Sequence, residues 1–248
     1  MINNISLIAA NELRRLFKSS LAWIILSVVQ FLIAIFFYLL LSQYMQPSAS
    51  ASGLTDVVVS GMYQISGVVM LLVSPLLTMR LITEERRLGT IKLLISSPIS
   101  ITELVLGKYV GITLFYCLML FMISLMPASL MFGTQLDLGQ IASGLIGVLL
   151  LMSAFASIGL FISSLTNSPT IAAISTFGVL FLFWIINIAG TNASEGMAEV
   201  FAYMSLLKHY TSLLTGVFNS TDVLFYIIVS AFFIILSIWR LDAERTYG

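Results

Sequence analysis

The chain has 248 residues, of which 59% are hydrophobic and only 9% are charged. A soluble domain carries roughly a quarter charged residues, so this composition excludes an ordinary soluble protein and indicates an integral membrane protein. Eleven Lys and Arg balance eleven Asp and Glu, so net charge gives no argument for a nucleic-acid partner, and none is expected.

The N-terminal segment 5–18 predicts an amphipathic helix in the membrane interface. Its apolar residues recur on one face at helical spacing, namely Ile5, Ile8 or Ala9, Leu13, and Leu16 or Phe17. Polar and charged residues are placed elsewhere on the helix, namely Asn11, Glu12, Arg15 and Lys18. The alternative is a charged flank that only sets the topology.

Six segments are apolar for about the 20 residues that a helix needs to cross a bilayer. They are 21–41, 57–79, 109–130, 141–165, 170–190 and 223–239. Thr166 to Pro169 separate the fourth from the fifth, and this polar cluster with its proline predicts two helices rather than one long helix. The first segment exceeds the 7 to 15 residues or so of a signal-peptide core, so we expect it to remain as a span.

The basic residues predict the orientation. Ten of the eleven lie before the first span, between the second and third spans, or after the sixth, and only Lys208 lies on the other side. Cytoplasmic loops collect positive charge, so the sequence predicts a single transmembrane domain over 1–248 with both termini in the cytoplasm. Five or seven spans would scatter the basic residues over both faces.

The spans as drawn contain no Asp, Glu, Lys, Arg or His, which argues against an ion-coupled carrier. Cys117 has no second cysteine to pair with, and the twelve methionines show no repeated spacing, so no metal site is predicted. His209 is the lone histidine, with no nucleophile motif beside it. It is interpreted as a surface or interface residue, and no catalytic residue is predicted.

Eight of the 22 charged residues lie between Arg80 and Lys108. Apolar residues at three- and four-residue spacing follow a charged turn there and predict a helix over 82–97, namely Leu88, Ile91, Leu94 and Ile95. Gly89 would lie inside this helix at a cost of up to about 1 kcal/mol relative to Ala, which suggests the close approach of another surface. Pro98 ends the element, and Ser100 with Glu103 forms a capping box that begins the next helix. The alternative is a solvated loop.

The outward-facing stretch 191–222 is too apolar for a free loop. It predicts short helices that dip into the outer interface and cap a central path.

Three passages carry a family resemblance: EERRLGTIKLLISSPIS, the following ITELVLGKY, and the ending WRLDAER. They resemble bacterial ABC-2 type permeases along nearly the full length, especially the gliding-motility permeases, to which the permease of nitrous oxide reductase maturation is related. The resemblance implies an all-α fold with six transmembrane helices, an N-terminal interfacial helix and a cytoplasmic coupling helix between spans two and three, as in type V exporters. It also implies that the membrane is a bacterial inner membrane.

The resemblance also implies partners. It implies a second permease half, identical or homologous, and two copies of a separate ABC ATPase subunit that binds ATP and Mg. The chain has no G-x-x-x-x-G-K-[ST] motif, so it is expected to be non-catalytic and to hold no cofactor itself. The residues implied to contact the ATPase are Glu84, Glu85, Arg86, Arg87, Gly89, Thr90, Leu93 and Leu94. Lys92 departs from the family pattern, which often has Glu there.

The sequence and the resemblance leave three functions open. The first is a permease subunit that moves a hydrophobic or amphiphilic cargo across the lipid bilayer, more readily by export. The second transmits ATP-driven movement to an extracytoplasmic partner protein without bulk transport. The third is an ATP-independent six-span carrier.

Overall fold

The computed structural model describes residues 2–46, 53–90, 99–191 and 203–247. These parts of the chain contain helices and turns and no strand. Six of the helices are long and apolar enough to cross a membrane. The prediction of an all-helical protein with six membrane-spanning helices is confirmed.

The helices follow one another with short connections. In chain order they are α1 Ile2–Lys18, α2 Ser20–Tyr44, α3 Gly61–Thr78, α4 Thr83–Arg87, α5 Ile101–Leu130, α6 Leu138–Leu165, α7 Pro169–Thr191, α8 Leu206–Leu214 and α9 Ser220–Tyr247. A π-helical turn, Thr55–Ser60, leads directly into α3.

Two helices continue past their predicted spans at the end where the charges lie. The helix containing span three begins at Ile101, before the span at 109 and where the predicted capping box places its start. The helix containing span six runs on to Tyr247 rather than ending at 239. The predicted break after span four is present, because Thr166 is extended (φ −128°, ψ 157°) and α7 starts at Pro169. Proline suits a first helical position, where its missing N–H would have no partner.

Helices α3 and α6 form the centre of the bundle. In their apolar stretches 61% and 67% of the residues are buried, against 22% or less in α2, α7 and α9. Gly159 lets the two central helices approach closely, since a Cβ there would overlap the side chain of Thr78. The hydroxyls of Ser74 and Tyr116 are 2.6 Å apart and join α3 to α5. The outer helices therefore expose apolar side chains around a packed centre.

The bundle has two chemically different ends. One end, called the charged end here, carries α1, α4, the first turns of α5 and the last turns of α6 and α9. At the opposite end the N–H of Asp137 donates to the hydroxyl of Thr55 at 3.1 Å, and Gln140 donates to Asp56 at 3.3 Å. The connection from α3 to α4 therefore lies at the charged end, and the connection from α5 to α6 lies at the opposite end.

Helix α8 is bound to the bundle at the opposite end. The carbonyls of Leu213 and Leu214, in its last turn, accept hydrogen bonds from Ser143 at 2.7 Å and Ser60 at 3.0 Å. The hydroxyl of Tyr210 donates to the carbonyl of Tyr63, and burial raises the pKa of Tyr210 well above its usual value, which keeps this donor protonated. A helix was predicted in this stretch and one is present at Leu206–Leu214, while 192–202 lie outside the described residues.

Candidate functional site

Helix α4 is a single short turn that ends at a glycine. Leu88 donates to the carbonyl of Glu84 at 2.9 Å, Gly89 donates to the carbonyl of Arg86 at 3.1 Å, and Gly89 has a φ of +72°. The predicted continuous helix over 82–97 is therefore wrong, because glycine adopts this left-handed conformation readily and commonly ends a helix with it.

The backbone conformation of Gly89 by itself favours glycine. A Cβ there would meet no atom of the described chain within 4 Å, so the close approach of another surface stays a prediction. Leu93 and Leu94, two of the predicted coupling residues, lie outside the described residues.

The start of α4 is fixed to α6. The backbone N–H groups of Ile82 and Thr83 donate to the hydroxyl of Ser163 at 3.0 and 3.2 Å. Ile82 and Thr83 are both buried. A one-turn helix has little stability of its own, so contacts of this kind determine where α4 lies.

Lys108 forms the centre of a buried charged cluster. Its Nζ lies 2.5 Å from Glu85 Oε1, 3.4 Å from Glu12 Oε2 and 2.6 Å from the carbonyl oxygen of Leu81. Only 2% of the Lys108 side chain is exposed. Arg15 supplies the second cation, 2.5 Å from the other oxygen of Glu12. Two carboxylates and two cations thus balance, as burial of charge requires.

This cluster depends on the close approach of α1 to α5. A Cβ at Gly107 would lie 2.6 Å from Ile8 Cβ, and a Cβ at Gly111 would lie 2.8 Å from Glu12 Cβ. The placement of Glu12 away from the packed face of α1 is therefore wrong, because Glu12 is buried and paired with Lys108. The sequence does carry a signal for this contact in the G-x-x-x-G spacing, which permits close helix packing.

The predicted capping box at the start of α5 is confirmed. Ser100 accepts from the N–H of Glu103 at 3.2 Å, and the Glu103 carboxylate accepts from the N–H of Ser100 at 3.1 Å. Asn4 of α1 donates to the same carboxylate at 3.3 Å. The cap thus contributes a second contact between α1 and α5.

Arg86 extends in the other direction, toward α6 and α9. Its Nη2 is 2.7 Å from both carboxylate oxygens of Glu244 and 2.6 Å from the carbonyl oxygen of Ser164. Arg240 lies 3.1 Å from the same carboxylate. No sequence motif places residues so far apart in the chain beside each other, and this contact was not predicted.

Three consecutive residues, Arg87, Leu88 and Gly89, face away from the described chain, and we call them the α4 tip. Leu88 is 64% exposed. It was not among the predicted coupling residues, although its position directly before the glycine is visible in the sequence. Glu84 is 3.8 Å from Arg15, and Thr90 donates to the carbonyl of Glu85 at 3.3 Å.

Four of the predicted coupling residues divide into two groups. Glu85 and Arg86 bind other helices of this chain, and Arg87 and Gly89 point outward. A protein that contacted the α4 tip would be connected through the adjacent residues to α1, α5, α6 and α9.

Comparison with known families decides the kind of protein. The family model described as "ABC-2 family transporter protein" matches residues 6–244, which is nearly the whole chain. The chain belongs to the ABC-2 transporter family. It is therefore a multi-pass membrane protein of a transporter family, with six apolar helices long enough to span. No curated protein matches it at significance.

The ABC-2 chain also has a buried polar contact at its opposite end. His209 Nδ1 is 2.6 Å from Asp222 Oδ1, and His209 Nε2 is 3.1 Å from the carbonyl oxygen of Tyr203. Both ring nitrogens therefore have a hydrogen-bond partner. The ring stacks on Phe225 with centroids 4.1 Å apart.

His209 was interpreted as a surface or interface residue, and the surface alternative is wrong, since only 6% of it is exposed. Its partner Asp222 lies 13 positions further along the chain, at the start of α9. In the ABC-2 chain this pair fastens α8 to α9.

Proposed function

We propose that this chain is the permease subunit of an ABC exporter and that a separate ATPase subunit binds at the α4 tip. The observation that carries the proposal is the division at α4: Arg87 and Leu88 are exposed, while the two residues before them bind three other helices, α5, α6 and α9. Such an element exposes a contact surface to a partner and is connected to the membrane-spanning helices of its own chain.

The proposed mechanism begins with ATP and Mg bound by two ATPase subunits. ATP draws these subunits together, each moves an α4 as a rigid body, and two permease halves, identical or homologous, rock against one another. The charged end lies in the cytoplasm in this proposal, because nine of the basic residues in the described part of the chain lie there and only Lys208 lies at the opposite end. The narrower kinship with gliding-motility permeases is part of the same proposal.

The proposed cargo is hydrophobic or amphiphilic. The middle of the spans carries hydroxyl and amide groups rather than charges, and a charged path would need paired ionisable groups within the membrane. At the opposite end α8 lies against α3 and α6, where it would cap a path that opens outward.

One observation favours the second candidate, the transmission of movement to an extracytoplasmic partner. Apolar side chains are exposed around α8, with Tyr203 at 64%, Val217 at 61% and Phe218 at 57%. Reconstitution in vesicles with a fluorescent phospholipid separates the two candidates. ATP-dependent lipid movement supports transport, whereas ATP hydrolysis without movement favours the transmission of force.

The test of ATPase binding is a substitution at the tip. We expect Leu88→Glu to reduce co-purification of the ABC ATPase with the tagged chain at least tenfold, which corresponds to about 1.4 kcal/mol of lost binding. Leu138→Glu is the matched control, because Leu138 is 65% exposed at the opposite end. Equal recovery of the ATPase with both variants, measured by immunoblotting, would contradict binding at the tip. Failure of any ABC ATPase to co-purify with the unaltered chain would contradict the proposed function as a whole.

A further inference from the structure

Helix α4 lies between two closely packed helix pairs. Helix α1 packs along α5, and α9 packs along α6, and these are the two most extensive helix contacts in the described part of the chain. Helix α4 itself packs against little besides these pairs and α7. Its side chains therefore decide which helices follow its movement.

Glu85 and Arg86 each bind a different pair. Glu85 reaches Lys108 of α5, which also pairs with Glu12 of α1. Arg86 reaches Glu244 of α9 and the carbonyl of Ser164 in α6. The two neighbours carry opposite charges, so neither can take the other's position.

The contact of Arg86 with α6 uses the end of that helix. Ser164 is among the last four residues of α6, whose carbonyls lack partners within the helix. A cation is stabilised there by the negative end of the helix dipole. Arg86 therefore binds α6 through its backbone and α9 through a side chain.

Two arginines contact the Glu244 carboxylate of α9. Glu244 accepts from Arg86 at 2.7 Å and lies 3.1 Å from Arg240 of its own helix. Neighbouring Leu241 is 1% exposed and anchors this turn of α9 in the core. The Arg86 side chain is 11% exposed, so water competes with the pair only from the Glu244 side.

Stability alone does not explain a charged pair at this position. A partly buried ion pair adds little net stability compared with apolar residues of the same size, because both groups lose hydration. Such a pair does fix relative position, since an uncompensated charge penalises other arrangements. It lies on α4, which combines an exposed tip with contacts to both helix pairs.

We propose that Arg86 and Glu244 are positioning residues that form a second coupling link, which carries movement of α4 to the α6–α9 pair, beside the link from Glu85 to the α1–α5 pair. This inference rests on the proposed function, because it takes the α4 tip to be moved by an ATPase. It adds that α4 drives two helix pairs through two separate ion pairs.

The experiment follows the two helix pairs separately by hydrogen exchange. The complex of the chain with its co-purified ATPase is placed in nanodiscs and compared without nucleotide and with ATP and vanadate. Peptides from α1 report the first pair and peptides from 236–247 report the second. In the unaltered complex we expect nucleotide to change exchange in both.

Charge reversal separates the links. Arg86→Glu is expected to abolish the response at 236–247 and to keep the response in α1. The exchanged pair, Arg86→Glu with Glu244→Arg, is expected to restore most of the lost response, which shows that the pairing matters rather than either residue alone. Glu244→Gln is a milder variant with the same expected loss, and Arg245→Glu, on an exposed neighbour, is expected to respond like the unaltered chain.

Two outcomes would overturn the inference while the ATPase remains bound. One is an unchanged response at 236–247 in both Arg86→Glu and Glu244→Gln, which means that α9 moves without this link. The other is loss of both responses together, which means that the two pairs are not driven separately. Absence of any α1 response in the unaltered complex would instead contradict the proposed coupling through α4.

Discussion

Lys108 has more buried charged contacts than any other cation in the described part of the chain, and its replacement has a clear consequence. Lys108→Met removes the counter-charge of Glu85 and leaves Glu12 with Arg15 alone. Breaking a buried pair by removing one partner costs about 3 kcal/mol or more, because the remaining charge stays dehydrated. We expect a clear fall in the apparent melting temperature of the detergent-purified chain.

Lys18→Met is the control for this variant, because Lys18 is also a lysine at the charged end but is exposed. Its melting temperature is expected to match that of the unaltered chain. If the two variants melted at the same temperature, the cluster around Lys108 would have to be hydrated and structurally unimportant.

The structural role of an individual residue could be predicted where it depends on residues nearby in the sequence. The capping box of Ser100 and Glu103 spans four positions and follows from the backbone N–H groups that a helix start leaves free. The pairing of Lys108 with Glu12 joins residues 96 positions apart and depends on how α1 packs, which no local pattern states. At Gly89 two local signals conflict: the apolar spacing after it favours a continued helix, whereas a glycine is common at a helix end, and the φ of +72° agrees with the second signal.

At the scale of elements, the position of α1 depends on two glycines of α5. Gly107→Leu with Gly111→Leu would place side chains where Ile8 and Glu12 now lie. We expect α1 to separate from α5 and trypsin to cleave at its basic residues several-fold faster, because a detached short helix unfolds easily.

The matched control is Gly178→Leu, a glycine inside α7 whose Cβ would meet nothing within 4 Å. This variant is expected to resist trypsin as the unaltered chain does. Unchanged cleavage in the double glycine variant would mean that α1 is not held by this contact.

The existence of the long helices could be predicted from hydropathy, but hydropathy alone did not predict their ends. Hydropathy identifies the stretch that matches the thickness of the bilayer, and that stretch is shorter than the helix wherever a helix continues into water. The first turns of α5 and the last turns of α9 carry Glu103, Lys108, Arg240 and Glu244, so the apolar pattern stops before the helix does. These are the turns that contact α1 and α4, and this is why the candidate site was harder to predict than the spans.

At the scale of the whole molecule, the ionic contacts concentrate at the ends of the bundle. The clusters of Lys108 and Arg86 lie at the charged end, and the pair of His209 and Asp222 lies at the opposite end beside α8. Helices α3 and α6 run between the two ends and are the most buried. A movement that begins at α4 therefore has a packed route through α6 to the helix that lies over the opposite end.

The orientation of the two ends in the membrane decides whether ATP can drive a movement that begins at α4. This orientation can be measured directly. In a Cys117→Ser background, Phe132→Cys places a thiol at the opposite end, where Phe132 is 96% exposed, and Ala10→Cys places one on the exposed side of α1. We expect a membrane-impermeant maleimide to label position 132 in intact cells and position 10 only after permeabilisation, because the end rich in Lys and Arg is retained in the cytoplasm. Labelling of position 10 in intact cells would place α4 outside, away from ATP, and would contradict coupling through the α4 tip. Labelling of both positions only after permeabilisation would contradict the six-span arrangement itself.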